Sequence, residues 1–251
     1  MNIKPLTIGN LTARLPIIQG GMGIGVSLSN LASAVTKAGG IGIISGAQPG
    51  YLEEDFKNNP LEANLRALKK HIRIAKEKSQ NGIIGVNLMV AMNNYAEHVK
   101  AAIDSGVDLI ISGAGLPSHL PKFTKGSNVK IAPIVSSLKA AKVILKLWDR
   151  HHKVSPDMIV IEGPKAGGHL GFTKESLEDE SKKFDSTILD IIKETSIYED
   201  KYEKKIPIIV AGGIFDGKDI AKYLKLGASG VQMATRFVAT YECDANIKFK
   251  E

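Results

Sequence analysis

His169 is the one imidazole in a loop of small residues, and Glu162 is the carboxylate that leads into it. The run reads Ile159-Val160-Ile161-Glu162-Gly163-Pro164-Lys165-Ala166-Gly167-Gly168-His169-Leu170-Gly171. A β-branched apolar stretch ends in a carboxylate, and four glycines and a histidine follow. Gly167 and Gly168 lack a Cβ, so the backbone can take positive φ and a flat ligand can come close. Histidine is the side chain most easily moved between proton donor and acceptor near neutral pH. The run therefore suits proton chemistry beside a planar group. The plain alternative is a strand-to-helix turn with an exposed imidazole, since glycine-rich loops are common punctuation.

Such a loop needs a strand to deliver it and a fold to gather its counterparts. Eight short apolar runs qualify as strands: Pro16–Gln19, Ile41–Ser45, Ile83–Asn87, Leu109–Ser112, Lys130–Val135, Met158–Glu162, Ile206–Val210 and Gly230–Met233. Pro133 has no N–H to give a ladder, which predicts a short or irregular fifth strand. Helical patterns separate the runs. Ser27 is placed to cap a helix over Leu28–Ala38 that Gly39 ends. Others cover Leu61–Lys78, Tyr95–Asp104, Leu138–Asp149 and Thr187–Thr195, and Ile220, Tyr223 and Leu224 face a helix that Gly227 stops. Lys174–Asp185 reads as a charged surface excursion. Continuous apolar strands mean burial on both faces, and strand–helix alternation means parallel pairing. Eight units argue for an α/β fold of the (β/α)₈ TIM-barrel type, with an open doubly wound sheet as the alternative.

In such a barrel the C-terminal strand ends open on one face. This chain puts Gly20, Gly21 and Met22, then Asn87, then Ser112–Gly115, then Glu162–His169, then Gly212 and Gly213, and finally Gln232–Thr235 there. The ring holds glycines, amides and hydroxyls with one histidine. It has no His, Asp and Glu cluster at metal spacing, no Ser-His-Asp elbow and no P-loop. The loops after the seventh and eighth strands, Ala211-Gly212-Gly213-Ile214 and Gln232-Met233-Ala234-Thr235, offer backbone N–H groups and the Thr235 hydroxyl to a phosphate. A tight turn is the other use of Gly212 and Gly213.

A chain of 251 residues is long enough for one barrel domain. No apolar run reaches membrane-spanning length, and Met1-Asn2-Ile3-Lys4-Pro5 starts no secretory signal, so a cytoplasmic protein is expected. Cys243 is the only cysteine, so no internal disulfide forms; its neighbours read as a polar surface turn. The formal charge of +7 comes from dispersed lysines without interleaved aromatics, which argues against nucleic acid. The oligomeric state is not fixed, and a homodimer is compatible with the sequence.

Four motifs together resemble the nitronate monooxygenase (2-nitropropane dioxygenase) family. They are Pro16-Ile17-Ile18-Gln19-Gly20-Gly21-Met22-Gly23, the Gly163–Gly171 run with Ala166-Gly167-Gly168-His169, Ala211-Gly212-Gly213-Ile214, and Val231-Gln232-Met233-Ala234-Thr235-Arg236-Phe237. FMN-dependent enoyl-acyl-carrier-protein reductases share these motifs. The resemblance covers nearly the whole chain and implies one FMN-binding TIM-barrel domain over residues 1–251. It implies that Gly21, Met22 and Asn87 contact the flavin ring, that Glu162 and Gly167 lie along the cofactor, and that Gly213, Gln232, Met233, Ala234 and Thr235 hold its phosphate end. His169 matches the active-site histidine. The implied reaction is oxidation of an alkyl nitronate by O₂ to a carbonyl compound and nitrite.

The chain departs from the family pattern in three places. Glu162 stands where many members carry glutamine, and Lys165 where they often have glutamate; Lys165 is expected to offset the Glu162 charge. The chain stops at Lys250-Glu251, so the resemblance implies a barrel lacking its C-terminal part and an open pocket. Two other functions stay in view, an NAD(P)H-dependent enoyl reductase and a flavin- or phosphate-binding protein without turnover.

Overall fold

The computed structural model describes residues 3–80, 82–169 and 171–251; Met1, Asn2, Asn81 and Leu170, the last of these inside the Gly163–Gly171 run, lie outside it. The chain starts with a hairpin of β1 (Leu6–Ile8) and β2 (Leu11–Ala13). Eight parallel strands then make the barrel: β3 (Ile17–Gln19), β4 (Gly42–Ser45), β5 (Ile84–Met89), β6 (Leu109–Gly113), β7 (Lys130–Val135), β8 (Ile159–Glu162), β9 (Ile208–Ala211) and β10 (Gly230–Met233). Strands β4 to β10 pair in chain order, and β10 also pairs with β3. Between β3 and β4 the cylinder is closed by a single bridge, Ile18↔Ile41, with Gln19 N–H donating to Ile41 O at 2.9 Å. The Gln19 side chain adds to this seam, its Oε1 accepting from Ile43 N–H at 3.0 Å. This is the (β/α)₈ barrel that the strand count predicts.

Helices follow each barrel strand: α1 (Ser29–Lys37), α2 (Pro60–Lys78), α3 (Tyr95–Asp104), α4 (Leu120–Phe123), α5 (Leu138–His152), α6 (Leu177–Tyr202), α7 (Gly217–Leu226) and α8 (Thr235–Val238), with α9 (Ile247–Lys250) closing the described chain. Side chains along a strand alternate between the faces of a sheet. Ile43, Leu109, Ile111, Val160 and Ile209 point inward and pack with Leu6, Ile8 and Ala13, so the hairpin plugs the N-terminal end. Ile44, Val86, Ile110, Ile161 and Val210 point outward under the helices, where Leu68, Val99, Ile144, Trp148 and Ile188 meet them. Full burial of an aliphatic side chain of this size is worth roughly 1.5–3 kcal/mol. At the N-terminal end, Asp108 accepts from Lys76 Nζ and Ile84 N–H, both at 2.8 Å, and ties α2 to the start of β5.

Several local expectations change. Ser27 does not cap α1; its hydroxyl accepts from Met22 N–H at 2.7 Å, and the helix is capped instead by Asp244. The Lys174–Asp185 stretch is not an excursion. After a 3₁₀ turn at Lys174–Ser176 it forms the first turns of α6, which runs on to Tyr202. Only a thin stripe, Phe184, Ile188, Ile191 and Thr195, is buried there, so the apolar signal is weak. Strand β7 keeps six residues; its pairing with β6 reaches Pro133, and that with β8 starts at Ile134. The turn before Cys243 is exposed at Tyr241 and Glu242, but Cys243 itself, whose N–H donates to Thr240 O at 3.4 Å, is buried.

Candidate functional site

The alternation that builds the two cores also decides which strand-end side chains reach the barrel mouth. On β8, Val160 is inward, so Glu162, two residues on, is inward too. On β5, Ile84, Val86 and Leu88 are outward, which turns Asn87 in. On β10, Val231 and Met233 are outward, which turns Gln232 in. Ser45 on β4 follows inward Ile43 by the same count. The register aligns these positions: Glu162 is opposite Ala211, and Ala211 is opposite Gln232. A carboxyl, a methyl and an amide thus form one row, and Ser45 faces Asn87 on the other side of the barrel.

Met233 is brought to the site only through its backbone. Its side chain is buried in the outer core, and its carbonyl accepts from Gly20 N–H at 2.7 Å. Ser112 also turns away: its hydroxyl donates to Leu88 O at 3.0 Å and lies 2.8 Å from the Tyr95 hydroxyl. Burial pushes Tyr95 up to about 12, so this phenol stays protonated and fastens α3 to β6.

The loop after β3 lies across the mouth. A Cβ on Gly21 would come 2.5 Å from Asn87 Cβ, so only glycine lets this backbone pass over the amide. Met22 is half-buried beside it. The loop after β9 leans on the loop after β8, since a Cβ on Gly212 would meet Gly163 O at 2.9 Å and Ala166 N at 3.0 Å. Gly212 and Gly213 have φ of 99° and 73°, which glycine takes without strain. Among the described residues, the N–H groups of Gly212, Gly213, Thr235 and Arg236 donate to no acceptor. Thr235 opens α8 next to them and is exposed. Free donors at the ends of β9 and β10 can bind an anion, as helix N-termini and glycine turns do.

Gly167, Gly168 and His169 are exposed on the solvent side, and a Cβ on Gly167 or Gly168 would meet nothing within 4 Å. A flat ligand can come up to this backbone without meeting a side chain. Glu162 is only partly exposed, and no hydrogen bond or ion pair holds its carboxyl among the described residues. Burial alone pushes it up to about 7. Lys165 does not offset this group as expected. Its stem lies over Gly213, whose Cβ would come 2.7 Å from Lys165 Cβ, and its charge acts on Asp219, whose carboxyl is held low first by the Phe215 and Asp216 N–H groups.

The residues fit a flavin mononucleotide: a glycine floor at Gly21, open ground at Gly167, and unsatisfied N–H donors at the phosphate end. Among the described residues, no group of three or more His, Cys, Asp and Glu is placed to hold a metal ion. Two surface hollows of ≈ 360 and ≈ 300 Å³ lie away from this face, one along α2 at Arg66, Lys69 and Arg73, the other at the N-terminal end beside Asn10 and Asp108. The chemistry-bearing groups are at the open mouth and not in either hollow. Sequence reasoning missed Ser45, which the inward count from Ile43 would have found, and Asp244, for which no local signal exists.

The chain is similar to known proteins over most of its length. A probable nitronate monooxygenase of Staphylococcus saprophyticus is 25% identical over 273 residues, which is 100% of this chain and 72% of that protein. A (3aS,4S,5R,7aS)-5-hydroxy-7a-methyl-1-oxo-octahydro-1H-indene-4-carboxyl-CoA dehydrogenase of Mycobacterium tuberculosis is 28% identical over 90% of this chain and 53% of its own length. The structure of FabK from Thermotoga maritima superposes with a TM-score of 0.68 at 30% identity, covering 94% of this chain and 62% of that one. The chain thus spans between about half and three quarters of these relatives. The family model described as nitronate monooxygenase matches residues 4–251, and the chain belongs to the nitronate monooxygenase family.

Proposed function

We propose that residues 1–251 form one FMN-binding domain that oxidises an alkyl nitronate with O₂ to a carbonyl compound and nitrite. The observation that carries this reading is the meeting of two loops at the mouth: the anion-ready Gly212-Gly213 turn rests against the Gly163–Ala166 segment that leads to His169. Gly213, Gln232, Ala234, Thr235 and the Met233 backbone would hold the phosphate. Gly21, Met22 and Asn87 would hold the ring, with Glu162 and Gly167 along it. Bound FMN would supply the electron transfer between nitronate and O₂.

The chain's own residues would position the substrate. Protonated His169 would hold the anionic nitronate at the open face; the neutral imidazole would take the α-proton of a nitroalkane. Glu162, where many relatives have glutamine, stays largely uncharged below about pH 7 and can then donate a hydrogen bond as an amide would. No helix among the described residues is long and apolar enough to cross a membrane. Small-molecule turnover in the cytoplasm is the setting this reading implies.

The absorption spectrum of the purified protein tests the cofactor. FMN released on heating supports it, and a colourless protein that cannot be reconstituted with FMN refutes it. Anaerobic mixing then separates the reactions. Bleaching by nitronate is expected; bleaching by NADH alone would favour the enoyl reductase, and bleaching by neither would favour binding without turnover. His169→Ala should keep FMN and lose at least about 100-fold in nitronate turnover, the scale of a general acid–base or anion-holding group. Unchanged turnover removes His169 from the chemistry.

A further inference from the structure

Helix α1 begins without a cap of its own. Leu28 occupies its N-cap position and has no side-chain acceptor, so the first N–H groups need partners from elsewhere. The Asp244 carboxylate supplies them: Oδ2 accepts from Leu28 N–H at 2.8 Å and Leu31 N–H at 3.1 Å, and Oδ1 from Asn30 N–H at 3.2 Å. A negative group at a helix N-terminus also suits the helix dipole. The same segment grips the chain two residues ahead of the N-cap, since Asp244 N–H donates to Val26 O at 3.2 Å and Cys243 Sγ lies 3.4 Å from that oxygen. Lys250 Nζ donates to Thr240 O at 2.9 Å and Cys243 O at 3.0 Å, folding the tail onto itself.

Ser27, between the two gripped residues, passes the constraint on. Its N–H donates to Met22 O at 3.0 Å, its hydroxyl accepts from Met22 N–H at 2.7 Å, and its carbonyl accepts from Ser45 N–H on β4 at 2.9 Å. A continuous hydrogen-bonded path therefore runs from the Asp244 carboxylate, through Leu28 and Ser27, to Met22. We propose that Asp244 is a positioning residue: by capping α1 from the far end of the chain it fixes the Gly20–Ser27 loop that presents Gly21 and Met22 at the barrel mouth. The proposal rests on the flavin reading for what the loop contacts, and on hydrogen bonds alone for what holds the loop.

The test compares Asp244→Ala, Asp244→Asn and wild type by amide hydrogen exchange and by FMN dissociation. Asp108→Asn, which weakens the distant Lys76 pair, controls for a general loss of stability. Loss of a capping side chain should free the Leu28, Asn30 and Leu31 amides, and with them Met22 and Ser27, and weaken FMN binding by roughly ten-fold. Asp244→Asn keeps one acceptor oxygen and should fall between; it carries the comparison if the alanine variant does not fold. Asp108→Asn should leave FMN affinity as in wild type. Freed amides with unchanged FMN affinity overturn the proposal, as does weakened FMN binding with the amides still protected or an equal FMN loss in Asp108→Asn. Wild-type protein that binds no FMN overturns the flavin reading instead. The positioning role is then judged on exchange: it holds if Met22 and Ser27 loosen with the helix amides, and fails if the helix amides loosen alone.

Discussion

Replacing Glu162 with glutamine should stabilise the cofactor-free protein at alkaline pH and leave it nearly unchanged in acid. Burial at the end of β8 lifts this carboxyl from the usual 4.5 to about 7, and no cation or N–H group offsets the loss of water among the described residues. At 1.36 kcal/mol per pH unit, that interval sets a ceiling of about 3.4 kcal/mol on the cost of ionising the group in the folded state. Water at the open mouth screens part of it, which leaves about 2 kcal/mol. The sign follows from the proton count. Between pH 4.5 and about 7 the folded chain keeps the proton that the unfolded chain has lost, so stability falls as pH rises through that window. Above about 7 the whole penalty is in force, and below 4.5 it vanishes. Glutamine has the same shape and no charge, so urea unfolding of Glu162→Gln and wild type should diverge from near zero at pH 4.5 to about 2 kcal/mol at pH 8. A difference that does not change with pH, or a wild type that gains stability over the window relative to the variant, would refute the argument that desolvation governs this residue.

Two further substitutions probe opposite ends of the barrel. Gly21→Ala puts a methyl 2.5 Å from Asn87 Cβ, so backbone or amide must shift; FMN titration should show weakened binding, at a stability cost of about 1–3 kcal/mol. Retained affinity would mean that the loop does not form the flavin floor. Asp108→Ala leaves Lys76 and the Ile84 N–H without their shared partner and should cost about 2–3 kcal/mol in a denaturant melt. Activity at saturating FMN should persist, because this pair lies at the end of the barrel away from the mouth.

The eight barrel strands were legible because buried parallel strands read as unbroken apolar runs, and the glycine stops marked where they end. Which strand-end residues face the mouth was legible as well, once the count from Val160 to Glu162 or from Ile43 to Ser45 is made. The N-terminal hairpin, absent from the eight-strand count, has a signal in the sequence: Gly9-Asn10 joins two alternating triplets, and Gly9 takes φ of 58°. The first turns of α6 were hidden by charge, since a helix that buries only Phe184 in its opening turns shows too narrow an apolar stripe. The cap of α1 could not be read at all. Ser27 satisfies every local rule for a cap, yet its hydroxyl is taken by Met22, and the true acceptor lies 216 residues away in sequence.

The single bridge between β3 and β4 bears on how this barrel assembles. Strands β4 to β10 each find their partner one helix further along the chain, so their ladders can form in sequence as short loops close. Strand β3 has its principal ladder with β10, at the opposite end of the chain, and meets its sequence neighbour β4 through Ile18↔Ile41 alone. Closing so long a loop costs more entropy than any neighbouring pairing and is rewarded only when β10 is in place. The first barrel strand to be synthesised is therefore expected to be the last to dock. In pulse-labelled refolding its amides should gain protection after those of β5 to β8. Until then the edges of β4 and β10 that β3 covers stay unpaired, and this is the interval in which the folding chain is most exposed to mispairing with another copy of itself.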